Sequence, residues 1–170
     1  VVNLDGWRRH YDWAHDDAGL PEEEFAELRR WQEICRWAAE ETPPDAVFIV
    51  PRLAQTFRWY AQRAEVVNRK DVPQDAAGIC EWWRRNRLLY GAPSGSTAAA
   101  GEPVAWRESL TDLGAERLSE LGAAFGADYA ITSAVPPLAL ERIGPLNPSF
   151  AVYRLRKAAA NGGASSQRAN

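Results

Sequence analysis

The chain has 170 residues, 46% hydrophobic and 25% charged, with a net charge of −3. That is the balance of one ordinary globular domain, long enough to bury a core without metal or disulfide. The near-neutral charge lacks the basic excess of a nucleic-acid binder, and no apolar run reaches the ~20 residues that span a bilayer.

The charge is unevenly spread. From Asp5 to Asp45 twelve acids stand against five arginines, whereas from Arg58 to Arg87 seven bases stand against four acids. Of the twenty basic residues only Lys70 and Lys157 are lysines, and arginine suits bidentate contact with carboxylate or phosphate.

In chain order, Val1-Val2 is followed by a polar, aromatic run ending Trp7-Arg8-Arg9, and no methionine occurs anywhere. That order suits the exit of a membrane helix, with Trp and Arg at the interface; a trimmed soluble protein is the alternative. Residues 1–20 read as an irregular lead-in, juxtamembrane on the first of these readings. Pro21 and Glu22 to Glu24 then suit the positive end of a helix. Phe25, Leu28, Trp31, Cys35 and Ala38 recur at helical spacing, predicting an amphipathic helix over 22–41. Thr42-Pro43-Pro44-Asp45 ends it. Ala46 to Val50 form an apolar run closed by Pro51, the pattern of a strand in the middle of a sheet. Thr56 to Ala61 fit a short helix or a strand, and Glu65 to Arg69 read as a second short strand.

Asp75 is placed to cap a helix running to Leu89. Residues 91–105, rich in Ala, Gly, Ser and Thr, read as a flexible loop. Thr111-Asp112 opens a helix ended by Gly126, and Asp128 to Ser133 make a third strand. A short helix around Leu138–Arg142 and a final edge strand from Phe150 to Leu155 follow. The tail 158–170 reads as disordered. The expectation is a single α/β domain over 21–157: a small sandwich of about four mostly parallel strands with flanking helices.

Signatures of catalysis are missing. The chain has no GxGxxG, no GxxxxGK[ST] and no GxSxG, and with only His10 and His15 a Ser-His-Asp triad is not expected. Those histidines, with Asp12, Asp16 and Asp17, offer metal-ligand chemistry but read better as a solvated acidic lead-in, so neither metal nor cofactor is expected. Cys35 and Cys80 form no CxxC pair; two buried free thiols are expected, with a disulfide as the alternative for an exported domain. The chemistry-bearing cluster is Arg58, Arg63, Arg69 and Lys70 with Trp59, Tyr60 and Trp82, and with Arg52 just past the first strand. Ligands of open α/β sheets collect at the carboxyl ends of strands. Arg52, Arg58, Arg63, Lys70 and Trp82 are therefore the candidate ligand-binding residues, suited to phosphate, carboxylate or sugar. The competing reading makes Trp59 and Trp82 core, with the arginines solvated or paired with Glu65, Asp71 and Glu81.

Thr42-Pro43-Pro44-Asp45-Ala46, then Phe57-Arg58-Trp59-Tyr60-Ala61-Gln62-Arg63, then Val66-Val67-Asn68-Arg69-Lys70-Asp71-Val72-Pro73, form a recognisable series. With Gly126 to Thr132 and Phe150 to Tyr153, it resembles the soluble C-terminal domain of bacterial polytopic membrane proteins of glycosyltransferase-C-like organisation. The likeness covers roughly residues 25 to 156, and Arg58, Arg63 and Lys70 fall on its motif positions. It implies an extracytoplasmic domain anchored by a preceding membrane domain of the same polypeptide, with the catalytic acids elsewhere. No catalytic residue carries over. The function so implied is a non-catalytic accessory domain contacting a glycan or lipid-linked donor. The alternatives are a free-standing α/β module, cytoplasmic in location, binding a small anionic ligand through the Arg58–Lys70 region, and an enzyme with a site assembled from dispersed Asp, Glu and Arg.

Overall fold

A computed structural model describes residues 22–91 and 105–155. The expected lead-in, the tail and all but the ends of the expected loop lie outside them, as do His10 and His15. Among the described residues no helix is long and apolar enough to cross a membrane.

Helix α1 (Glu22–Glu41) follows the predicted periodicity and buries Trp31, Ile34, Cys35 and Ala38. At its end the Thr42 hydroxyl donates back to the Ala38 carbonyl at 2.5 Å. The Pro43–Ala46 turn closes with a 3.0 Å backbone bond and feeds β1 (Val47–Ile49). Next comes α2 (Phe57–Ala61), which settles the ambiguous aromatic stretch as helix. Gln62 then adopts a left-handed conformation, φ 51°, and turns the chain sharply into β2 (Ala64–Glu65).

The second strand is shorter than expected. Asn68 donates to Glu65 Oε1 at 2.7 Å and accepts from the Lys70 amide at 2.8 Å. The Val66 amide still donates to the Phe48 carbonyl of β1 at 2.9 Å, and beyond it the Asn68 side chain closes a local turn. Helix α3 (Ala76–Tyr90) is capped by Asp75, whose carboxylate accepts from the Gly78 amide at 2.8 Å. After a 3₁₀ turn (Leu110–Leu113), α4 (Gly114–Phe125) ends at left-handed Gly126. Strands β3 (Tyr129–Ser133), β4 (Arg142–Ile143) and β5 (Phe150–Arg154) complete the fold.

Among the described residues these strands form one five-stranded sheet in the order β2-β1-β3-β5-β4. Strands β2, β1 and β3 are parallel, and β5 pairs antiparallel with both β3 and β4. The expectation of about four mostly parallel strands is thus corrected to a mixed sheet of five. Two local readings change with it. Residues 138–142 form no helix, because the Tyr153 hydroxyl accepts the Leu138 amide at 3.0 Å and Arg142–Ile143 pair with β5. Strand β5 is interior rather than an edge, as its unbroken burial from Phe150 to Tyr153 requires.

Strand alternation divides the core. Phe48, Ile131, Phe150 and Val152 face α1 and α2, where Trp31 and Phe57 pack on them. Ile49 and Ala130 face the other way, against Leu89, Leu118 and Leu121 of α3 and α4. The Trp31 ring lies 5.1 Å from Phe150 and 6.2 Å from Phe57. Its N–H is satisfied by Thr56 Oγ1 at 3.0 Å, so the largest core side chain leaves no buried donor unpaired. Cys35 is buried here, and desolvation, with the nearby Glu65 charge, holds its thiol far above the ordinary range. Cys80 is exposed on α3 rather than buried, and both thiols are free.

Candidate functional site

From β1 the chain moves to β2 on one side of it, and from β2 it crosses to β3 on the other. The strand order therefore reverses between β1 and β3, and the carboxyl ends of these strands are where open α/β sheets hold ligands. Of the residues expected to bind, Arg52 lies in the loop leaving β1 and Lys70 in the loop leaving β2, whereas Arg58 stands on α2, Arg63 just before β2 and Trp82 on α3.

Arg58 of α2 is committed to two carboxylates. Its guanidinium meets Glu65 at 3.3 Å and Asp71 at 2.7 Å. The Glu65 side chain is only 1% exposed. Burial pushes its carboxyl pKa up, and the Asn68 hydrogen bond and Arg58 charge pull it partly back. Burial screens this carboxylate from solvent, and its contacts tie α2 to the loop after β2.

Arg63 turns toward the end of α1. Its Nη2 donates to the carbonyls of Ala39 at 2.5 Å and Thr42 at 2.7 Å, and its Nε donates to Thr42 Oγ1 at 3.2 Å. These carbonyls are among the last-turn acceptors that a helix leaves unpaired, at the negative end of its dipole. The Lys70 amide closes the Asn68 turn, and the Trp82 indole N–H donates to the Asn68 carbonyl at 2.7 Å. The five expected residues thus fall into separate sets of contacts. Arg58, Lys70 and Trp82 meet around the Glu65–Asp71 loop, Arg63 caps α1, and Arg52 belongs to a third group. Anion capture by Arg58 and Arg63 would require both to leave partners they already hold.

The third group is aromatic. Arg52 lies over the Trp106 ring, 5.0 Å from its centroid. Trp106 meets Trp83 edge-to-face at 5.9 Å and 86°, and Trp83 stacks beside Trp82 at 6.2 Å and 27°. A row of three indoles therefore runs from the loop after β2 to the loop after β1. The last turn of α3 fixes it to the sheet, because the buried Tyr90 hydroxyl donates to the Val50 carbonyl at 2.8 Å. Trp83 and Trp106 were missed as site residues by sequence reasoning. Trp83 scored only as one more apolar position on a helix, and Trp106 follows a stretch of small residues with no periodicity to mark it. Trp59, by contrast, stands 62% exposed on α2, not in the core.

Among the described residues no cluster of His, Cys, Asp and Glu has metal-binding geometry. Hydroxyls gather at the end of β3, where Ser109 Oγ donates to Ser133 Oγ at 3.0 Å and accepts from Thr111 Oγ1 at 2.9 Å. Ser109 also caps the 3₁₀ turn, so this cluster is explained by local structure.

A family model described as a domain of unknown function, DUF6798, matches residues 29–89. The matched segment runs from within α1 almost to the end of α3 and contains Arg52, Arg58, Arg63, Lys70, Trp82 and Trp83, but not Trp106. No curated protein and no solved structure matches the chain.

Proposed function

We propose that this chain is a non-catalytic, extracytoplasmic domain of a membrane glycosyltransferase-like protein, where it contacts a glycan or lipid-linked donor. The observation that carries the reading is the internal engagement of Arg58 and Arg63. Both fall on the motif that underlies the resemblance, and both bind groups of this domain: Glu65 and Asp71 for the first, the end of α1 for the second. A motif whose charged groups hold elements together maintains shape, as an accessory domain requires, and its active site lies elsewhere in the polypeptide.

The test is the complete reading frame and its product. The frame should encode membrane-spanning segments before Val1, and the product should stay with membranes after alkaline extraction. Protease added from the extracytoplasmic face should reach residues 22–155. A frame without such segments, or cleavage only from the cytoplasmic face, refutes the proposal.

A further inference from the structure

Helix α3 is apolar on its outward side. Its three buried residues, Asn86, Leu89 and Tyr90, all lie in its last five positions. Ahead of them Ala76, Ala77, Ile79, Cys80 and Trp83 stand in solvent, with Ile79 and Trp83 42% and 40% exposed. Steps of three and four residues put Ala76, Ile79, Cys80 and Trp83 on one side of the helix, and the exposed Arg84 and Arg87 continue that side into the last turns. The outward side of a surface helix is ordinarily polar, so an apolar stripe there marks a surface that a partner covers. The stripe is also held in place. The Trp82 indole donates to the Asn68 carbonyl at 2.7 Å, and Arg85 Nη1 donates to the Val66 carbonyl at 3.0 Å. At the first turn Gly78 lies so close to Pro73 that a Cβ on it would come within 2.6 Å of the proline ring. That contact brings the loop carrying exposed Val72 to the start of the stripe.

Charge narrows what covers it. The helix carries three arginines against one glutamate, and that glutamate, Glu81, is held by Arg84 at 2.6 Å and Arg85 at 2.7 Å. Asp75, at the helix start, is turned onto the Gly78 amide. No carboxylate stands among the exposed residues of the helix. A second copy docked about a two-fold axis would set Arg84 and Arg87 against their own counterparts or against Ile79 and Ala76, so the stripe does not complement itself. A bilayer containing anionic lipid suits both halves. Ile79 and Trp83 enter the interfacial region, where tryptophan is favoured, and the arginines extend to the headgroup phosphates. We infer that the outward side of α3 is a docking surface for an anionic membrane, with Ile79 and Trp83 inserted and Arg87 on the headgroups. The choice of a bilayer over an acidic protein rests on the membrane-anchored reading above.

Cosedimentation of the full chain with vesicles tests it, using phosphatidylcholine alone and phosphatidylcholine mixed with phosphatidylglycerol. The mixed vesicles should bind the chain saturably and the neutral ones several-fold more weakly, with the difference closing at high salt. Arg87→Gln should weaken binding to the mixed vesicles about fivefold and leave the neutral ones unchanged. Trp83→Ala should weaken binding to both about fivefold, and Ile79→Glu, which sets a carboxylate in the stripe, should abolish it. Leu146→Ser, at a position 88% exposed on a loop outside α3, should bind like the parent. All four replace exposed side chains, so native circular dichroism is expected; if Trp83→Ala loses it, the other three decide. Absence of saturable binding, equal binding to both compositions, or binding indifferent to Arg87→Gln and Ile79→Glu would each overturn the proposal. So would self-association that Ile79→Glu dissolves, which marks a second copy, or tighter Arg87-dependent binding of poly-L-glutamate, which marks an acidic protein. Those results leave the membrane-anchored reading standing, since the reading frame and protease accessibility test it separately. Vesicle binding by a chain whose frame encodes no membrane segments would sink that reading alone.

Discussion

Replacing Arg63 separates a structural arginine from a ligand-binding one. Arg63→Ala removes two short bonds to the Ala39 and Thr42 carbonyls and a longer one to the Thr42 hydroxyl. Hydrogen bonds to charged groups contribute about 1.5–3 kcal/mol when well buried. This guanidinium is only half-buried, so the two short bonds are worth about 1 kcal/mol each. Loss of a cation at the negative end of α1 adds about 0.5 kcal/mol. The expected destabilisation is therefore about 2–3 kcal/mol, or a melting temperature lower by about 6–12 °C for a domain of this size. Arg63→Lys keeps the charge but only one compact donor head, and should cost about 1 kcal/mol. Thermal melts at neutral pH followed by circular dichroism, with urea titrations to confirm the ranking, measure all three proteins. If Arg63→Ala melts within about 2 °C of the parent, the contacts at the end of α1 contribute nothing. Arg63 would then return to the list of residues available to a ligand.

Further outcomes follow from individual polar groups. Because burial raises the Glu65 pKa above its ordinary 4.5, the folded chain binds this proton more readily than the unfolded one. Its contribution to stability is therefore present at low pH and lost as pH rises from 4.5 through the raised value. Urea midpoints against pH should show that loss, and Glu65→Gln should remove it; an unchanged profile would exclude Glu65 as the cause. Glu81 has the opposite sign: hydrogen bonds from Arg84 and Arg85 hold it at about 2, so its contribution is present above 4.5 and fades as pH falls toward 2. Asn147 donates to the Arg30 carbonyl and Glu33 and accepts from the Ser149 and Phe150 amides at 3.0 Å each. Asn147→Ala should cost about 2–4 kcal/mol and speed amide exchange at Ser149 and Phe150; a cost below about 0.5 kcal/mol would show that the loop is not held by this side chain.

Several elements were legible because their signals are local. The apolar spacing of Phe25 to Ala38, the Asp75 cap and Gly126 at the end of α4 act within a turn or two of chain, and helix boundaries followed from them. The run from Ala46 to Val50, apolar on both faces, likewise announced an interior strand. The same logic was available for Phe150 to Tyr153, whose lack of polar alternation marks a strand covered on both sides.

What only the tertiary structure decided depends on partners distant in sequence. Arg142–Ile143 carries no strand pattern and becomes a strand because β5 offers it an unpaired edge. Val66 and Val67 are β formers, yet the strand stops at Glu65 and the Asn68 side chain closes a turn by accepting from the Lys70 amide. The basic cluster was visible as composition, but whether an arginine meets a ligand or a carbonyl depends on where its neighbours fold. Arg63 reaches residues 21 and 24 positions earlier, and Trp106 finds Trp83 across the intervening chain. Periodicity and capping are set by short-range sterics and hydrogen bonds; the assignment of charged donors and surface aromatics is set by packing. The sequence alone therefore determined the main helices and central strands. The mixed sheet, the internal ties of Arg58 and Arg63, and the indole row beside Arg52 emerged only when those elements were brought together.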